Sequence, residues 1–264
     1  MATIGVRYIY ALPFAWLYLW WLLDYRSLTM PSLNQQFLHY AVIACVMQIM
    51  GTLCLMAAFK YHNFAVATSL AKTEAIQVAV FGALLFSASL TFIGWISVII
   101  GVVGVLLVSK VKFTFKDLLQ NPGAGFGLVS GLSLAITTLL IRQSSLALNS
   151  DLLLSAAVTL TFMITVQSII FFIYIYCQDK RQFFVMVSQW RLCLFVGITS
   201  VIGSIGWFTA ASFQNAAYVK ALGQVEFFIT LFITYRIFKE KISPVEYLGM
   251  LLIIVSVLVL LLWA

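Results

Sequence analysis

The segments "AFKYHNFAVATSLAKTE" (residues 58–74) and "AASFQNAAYVKALGQVE" (residues 210–226) align without a gap when the chain is shifted by 152 residues. The shift pairs Asn63 with Asn215, Ala65 with Ala217, Leu70 with Leu222 and Glu74 with Glu226. Beyond these segments it also pairs Gly51 with Gly203, Phe86 with Phe238 and Val103 with Val255. Apolar coincidences are common in a chain of this kind. Matched Asn and Glu inside apolar stretches are not, so the two segments read as copies within an internal repeat.

The chain around them is apolar almost throughout. Of 264 residues, 63% are hydrophobic and 9% charged, against about half and a quarter in soluble domains. Apolar runs fall at 7–23, 38–59, 63–86, 90–109, 124–146, 152–177, 190–213, 217–236 and 244–263. As helices rising 1.5 Å per residue, such runs cross about 30 Å of hydrocarbon. This predicts an all-α integral membrane protein with nine transmembrane helices. The connections are short and polar, "SASL" and "CQDKRQ" among them, so no soluble domain or low-complexity linker is expected.

The net charge of +7 is spread in ones and threes at span ends, which argues against a nucleic-acid-binding patch. Alternating spans put Lys60, Lys110, Lys112, Lys116, Lys180, Arg181, Lys239 and Lys241 on one side, with Arg7 and Arg236 near that face, and Arg26 and Arg142 on the other. The positive-inside rule makes the richer side cytoplasmic. Cys45, Cys54, Cys177 and Cys193 show no C-x-x-C spacing and imply buried free thiols. The first span lacks a small-residue cleavage site before Asp24, so it is expected to remain as a helix and not be removed as a signal peptide.

The repeat maps spans two to four onto seven to nine and the first span onto the sixth. The fifth, "GAGFGLVSGLSLAITTLLIRQSS", has no partner because the shift carries it before residue 1. Two related halves of a ten-helix plan are expected, 1–110 with four helices and 121–264 with five, the plan's first helix missing either because the chain begins late, at an internal Met, or because the protein has lost it. Five spans per half, an odd number, would set the halves in opposite orientations. That is the inverted-repeat plan of many secondary transporters.

The candidate chemistry lies at the centres of the third and eighth spans, where Glu74 and Glu226 fall. A charge at that depth costs roughly 2.5–3.5 kcal/mol unless paired or hydrated, so Glu74, Glu226 and Lys72 are expected to face a wet or paired interior. Lys72 and Glu74, two residues apart, point to different faces, whereas Glu74 and Gln77 share one. In the second half Lys220 and Gln224 stand at i and i+4. The expected substrate- or ion-binding set is therefore Lys72, Glu74, Gln77, Lys220, Gln224 and Glu226, with Lys72 neutralising one glutamate and the other taking a proton or cationic group.

Several polar residues carry plainer readings. Ser130, Ser133, Thr137, Thr138, Ser200 and Ser204 either line a cavity or bond to nearby carbonyls. Gly127 and Gly131 form a G-x-x-x-G that suits close helix packing. Asn63 and Asn215 suit helix caps, and Ser243, Pro244 and Glu246 suit the start of the last span. The only histidines, His39 and His62, lie near span ends. No H-E-x-x-H or G-x-S-x-G is present, so no catalytic residue, metal site or cofactor is expected.

The stretch "LGQVEFFITLFITYRIFKEKISPVEYLGMLLIIVSVLVLLL" (222–262) resembles the C-terminal signature of the EamA-type drug/metabolite transporter superfamily. That signature has Glu-Pro in mid-helix, Gly-Glu fourteen residues later, then a helix with an early glycine. Glu226, Glu240 and Gly249 fit it. In the first half "KTEAIQVAVFGALLFSASLTFIGWISVIIGVVGVLLVS" (72–109) keeps Glu74 and has Ala88 at the later Glu position. Ala75 and Phe227 stand for the prolines, and Ser87 and Lys239 for the glycines. The resemblance implies ten helices in two five-helix halves and a transport function. The expectation is a secondary transporter for a small polar, amino-acid-like metabolite in the inner membrane, working by alternating access with a coupling proton or ion. Its expected partners are that solute and the lipid bilayer, without nucleic acid. A non-transporting accessory or lipid-handling subunit is the alternative.

Overall fold

The computed structural model describes residues 2–58, 70–71, 73–88, 90–108, 122–178, 180–226, 229, 232 and 243–263. The regular elements among them are helices: α1 (Ala2–Ile9), α2 (Leu12–Arg26), α3 (Gln35–Ala58), α4 (Glu74–Phe86), α5 (Phe92–Val108), α6 (Pro122–Ala147), α7 (Leu152–Gln178), α8 (Lys180–Ser188), α9 (Trp190–Phe213), α10 (Ala216–Gly223) and α11 (Pro244–Trp263). Among the described residues four helices, within α3, α6, α7 and α9, are long and apolar enough to cross a membrane, and α4, α5 and α11 hold shorter apolar helices.

Three expected spans are interrupted. The first is two helices, because the chain turns at Tyr10–Ala11 and restarts with Pro13 near the start of α2, where a residue without an N–H fits only a first turn. In the third, Thr73 is a turn residue and α4 begins at Glu74. In the eighth, α10 stops at Gly223 and Gln224–Val225 form a turn. The shift that pairs Glu74 with Glu226 pairs the turn residues Thr73 and Val225 as well. The polar connection "CQDKRQ" (177–182) is helical at its described residues, since α7 runs to Gln178 and α8 begins at Lys180.

Two compact units divide the chain, one made of Met1–Ile49 and Leu140–Phe213, the other of Met50–Leu139 and Gln214–Ala264. Each takes segments from both sequence halves.

In the first unit, Leu19 and Leu22 of α2, Phe37 of α3 and Leu154, Ala157 and Val158 of α7 form a buried cluster. Ile175, Met186 and Cys193 form another, onto which Val6, Ile9 and Tyr10 pack. Gly197 of α9 sits against the α1–α2 turn so tightly that a Cβ there would lie 2.6 Å from the Tyr10 carbonyl carbon. Arg142, near the end of α6, donates from Nη1 to the carbonyls of Ala211 and Ser212 at 3.1 and 3.2 Å, satisfying acceptors that the last turn of α9 leaves open. The outward side of α2 carries Trp16, Trp20, Trp21 and Tyr25, all exposed.

In the second unit α5 and α11 run antiparallel, with Ser97 bonded to Ser256 and Gly104 against Gly249. A Cβ on Gly104 would approach the Gly249 carbonyl oxygen to 2.7 Å, so small residues set the spacing. Ala75, Val78 and Ala79 of α4 belong to one buried cluster with Ala216, Ala217 and Ala221 of α10. Short side chains on both helices bring their backbones, and whatever polar groups they carry, close together. All four cysteines are free thiols.

Candidate functional site

Asn215 builds the site from one side. Its Oδ1 accepts a hydrogen bond from the Ala217 N–H at 3.0 Å, the helix-cap role its span-start position suggests, and this starts α10 so that Lys220 falls in the last turn. Glu74 comes from the other side as the first residue of α4. Lys220 Nζ and Glu74 Oε1 are 2.6 Å apart, their side chains 19% and 14% exposed. A carboxylate at a helix start and an ammonium at a helix end each complement the local dipole, so backbone and side-chain electrostatics favour the same arrangement. Thr138 of α6 points its Oγ1 at Glu74 Oε1 over 3.5 Å, while its shorter hydrogen bond goes to the Leu134 carbonyl at 3.0 Å.

The other expected members behave differently. Gln77 Nε2 donates to Thr73 Oγ1 at 3.0 Å, and that hydroxyl donates to the Leu70 carbonyl at 2.7 Å. This ties Gln77 to the interruption ahead of α4, and leaves its Oε1 buried without a partner among the described residues. Gln224 is 6% exposed, and neither amide atom has a hydrogen-bond partner among the described residues. The expected pairing of Lys220 with Gln224 is thus replaced by Lys220 with Glu74, because the α10 break turns residue 224 toward Gly101 and Ser256. Glu226 is exposed. Lys72, Asn63 and the expected role of Lys72 as neutralising partner lie outside the described residues.

The hydroxyls of α6 take mostly structural parts. Ser130 donates to the Gly51 carbonyl, Ser133 to Val129 and Thr137 to Ser133, each at 2.8 Å. Gly131 lets α6 approach the Ala71 backbone, where an added Cβ would lie 2.9 Å from the carbonyl oxygen.

Arg7 has neighbours that sequence reading did not identify. Expected near a membrane face, it is exposed, and its Nε donates to Ser200 Oγ at 2.7 Å; Ser200 is the eleventh of the 24 residues of α9. With Gln48, Gln167, Ser200 and Ser204 it lines a cleft in the first unit. The signal available in the sequence was Pro13, whose nearness to the start of the run marks a break and so frees residue 7 from the depth assigned to it.

Helices interrupted at a partly buried ion pair, inside a chain of repeated apolar spans, define a multi-pass membrane protein. The EamA-like transporter family model matches residues 1–110 and 121–262. The chain belongs to that family and is a membrane transporter of the drug/metabolite superfamily. No curated protein matches it. A solved structure described as "Crystal structure of protein" is 12% identical, aligns over 100% of this chain and 86% of its own, and superposes with a TM-score of 0.71. The likeness shows a shared fold.

Proposed function

We propose that this transporter is a secondary carrier that moves a small polar, amino-acid-like metabolite across the inner (plasma) membrane by alternating access. The observation that carries the reading is the Glu74–Lys220 ion pair, held between the end of α10 and the start of α4 where the apolar runs are interrupted. Interrupted helices free backbone groups and present helix ends to a solute, which is how many carriers build sites away from the membrane surfaces.

An ion pair in this position is a switchable contact. A proton or a cationic group arriving at Glu74 releases Lys220, and the ammonium can then engage an anionic group or the exposed carboxylate of Glu226. Gln77 and Gln224, with unpartnered amide atoms beside the interruptions, offer neutral hydrogen bonds to a polar solute, and Lys72 adds a second cation on the same segment as Glu74. The antiparallel contact of α5 with α11 supports opposite orientation of the halves. Under the repeat shift Ser97 becomes residue 249 and Gly104 becomes residue 256, so the contacts 97–256 and 104–249 exchange with one another, as a pseudo-two-fold relation requires.

The test is uptake of a labelled amino-acid mixture into liposomes holding the purified protein, with and without an imposed proton gradient. E74Q and K220Q are expected to lose most gradient-driven uptake while remaining folded. Uptake equal to wild type in both variants would remove the ion pair from the mechanism.

A further inference from the structure

We infer that the Arg7 cleft is a binding subsite for an oxyanion group of the transported solute, a carboxylate or a phosphate; the inference rests on the carrier reading above and adds the solute's charge to it. Arg7 is set against the middle of the spans it meets. Ser200 is eleventh of 24 residues in α9, Gln48 fourteenth of 24 in α3, and Gln167 sixteenth of 27 in α7. A guanidinium at such depth is costly to insert and is a functional candidate by default.

The polar groups around it are hydroxyls and neutral amides, and Tyr8, Ala11, Leu160, Ile164 and Phe208 complete the lining. Arg7 gives its Nε–H to Ser200, and among the described residues it forms no ion pair with a carboxylate. The guanidinium stands over the Tyr8 ring, 5.8 Å from its centroid, and its terminal N–H groups, a rigid planar fork suited to bidentate contact with an oxyanion, meet no carboxylate among the described residues. The Ser200 hydroxyl accepts from Arg7 and has its own proton to offer. Ser204, one turn further on, lines the same cleft. Opposite them Gln167 is 1% exposed and donates from Nε2 to Gln48 Oε1 at 2.7 Å, and more distantly to the Cys45 carbonyl at 3.5 Å. This amide pair fixes the cleft wall without adding negative charge. A cationic fork beside two hydroxyls, with neutral walls, selects a bound anion.

The local fold holds this geometry in place. Gly197 admits the α1–α2 turn against α9, and Gly197, Ser200, Ser204 and Phe208 recur along one helical face. The end of α1 is thereby laid along the hydroxyl-bearing side of α9.

The experiment measures thermal stabilisation of the purified full-length protein in detergent. The probes are succinate, L-alanine and inorganic phosphate, with chloride and choline as controls and phosphatidylglycerol micelles as the lipid-phosphate arm. The wild type is expected to respond to succinate or L-alanine, or to phosphate, more strongly than to chloride, and the order distinguishes carboxylate from phosphate. R7Q should lower the apparent affinity about tenfold or more, the loss expected on removing a charge-assisted hydrogen bond. R7K and the S200A/S204A double variant should fall between. No preference over chloride, a response to phosphatidylglycerol alone, or R7Q equal to wild type would each overturn the inference. If R7Q does not fold, wild-type affinity in folded R7K and S200A/S204A would overturn it. E74Q separates the two readings. Oxyanion binding lost in R7Q and kept in E74Q, together with normal E74Q uptake, removes the ion-pair mechanism and leaves the subsite standing.

Discussion

Ser97 and Ser256 hold each other through reciprocal hydrogen bonds, each hydroxyl donating to the other's backbone carbonyl at 2.7 Å. Both serines are fully buried, and the glycine contact between α5 and α11 lies two helical turns away on the same seam. S97A and S256A should each destabilise the protein by a similar amount, about 0.6–1.7 kcal/mol, the range for polar contacts between membrane helices. G104A should cost more than either, because the atom its Cβ would meet at 2.7 Å is the Gly249 carbonyl oxygen, which a side-chain rotation cannot move. Denaturant unfolding of the three variants in one detergent checks the order; a G104A protein as stable as wild type would refute the close packing.

The ion pair predicts a specific pattern of non-additivity. K220M leaves a largely buried carboxylate uncompensated, and E74Q leaves an ammonium in the same state. The double variant E74Q/K220M should be more stable than the K220M protein. The coupling in a double-mutant cycle should fall within about 0.5–3 kcal/mol. Additive single effects would mean that the two charges do not sense each other.

Ser87 ends α4 with φ 50°, in the left-handed region, and the Ala88 N–H closes the helix by donating to the Gly82 carbonyl at 3.0 Å. A non-glycine residue pays about 1–2 kcal/mol for that backbone conformation, against about 0.5–1 kcal/mol of unfolded-state entropy for glycine. S87G should therefore raise stability by about 1 kcal/mol or less, and S87A should give no gain. Thermal unfolding of the pair decides it; equal melting temperatures for S87G and S87A would refute the strain.

Gln224 buries an amide with no partner among the described residues, a state that costs about 1–3 kcal/mol by mutational data. Q224M, close in shape, should raise stability by about 1 kcal/mol or more while lowering solute uptake. A variant that is both more stable and fully active would make Gln224 a structural residue only.

The sequence made some parts of this protein legible and left others hidden for physical reasons. Composition and run length revealed the membrane class, and paired Asn and Glu pointed to a repeat, because both are local properties. Glu74 was legible as a charge too costly to be idle. Its partner was not: Lys220 is 146 positions away, and its choice between Gln224 at i+4 and Glu74 depends on α10 stopping at Gly223. Hydropathy sums over a window and does not register such a stop, nor the one at Tyr10–Ala11 that carries Arg7 to the middle of α9. The helicity of the polar segment 177–182 was not legible either, since a short helix can be charged at its start and still continue.

The contact between Lys220 and Glu74 has a kinetic meaning as well. An ammonium tethered 2.6 Å from its carboxylate acts as a resident competitor, present at the high effective concentration that covalent linkage confers. Under the proposed mechanism a free cation visiting Glu74 would have to displace it and would be readily displaced in return, so that occupancy would be brief, turnover would be favoured over tight capture, and the vacated site would not be left bare.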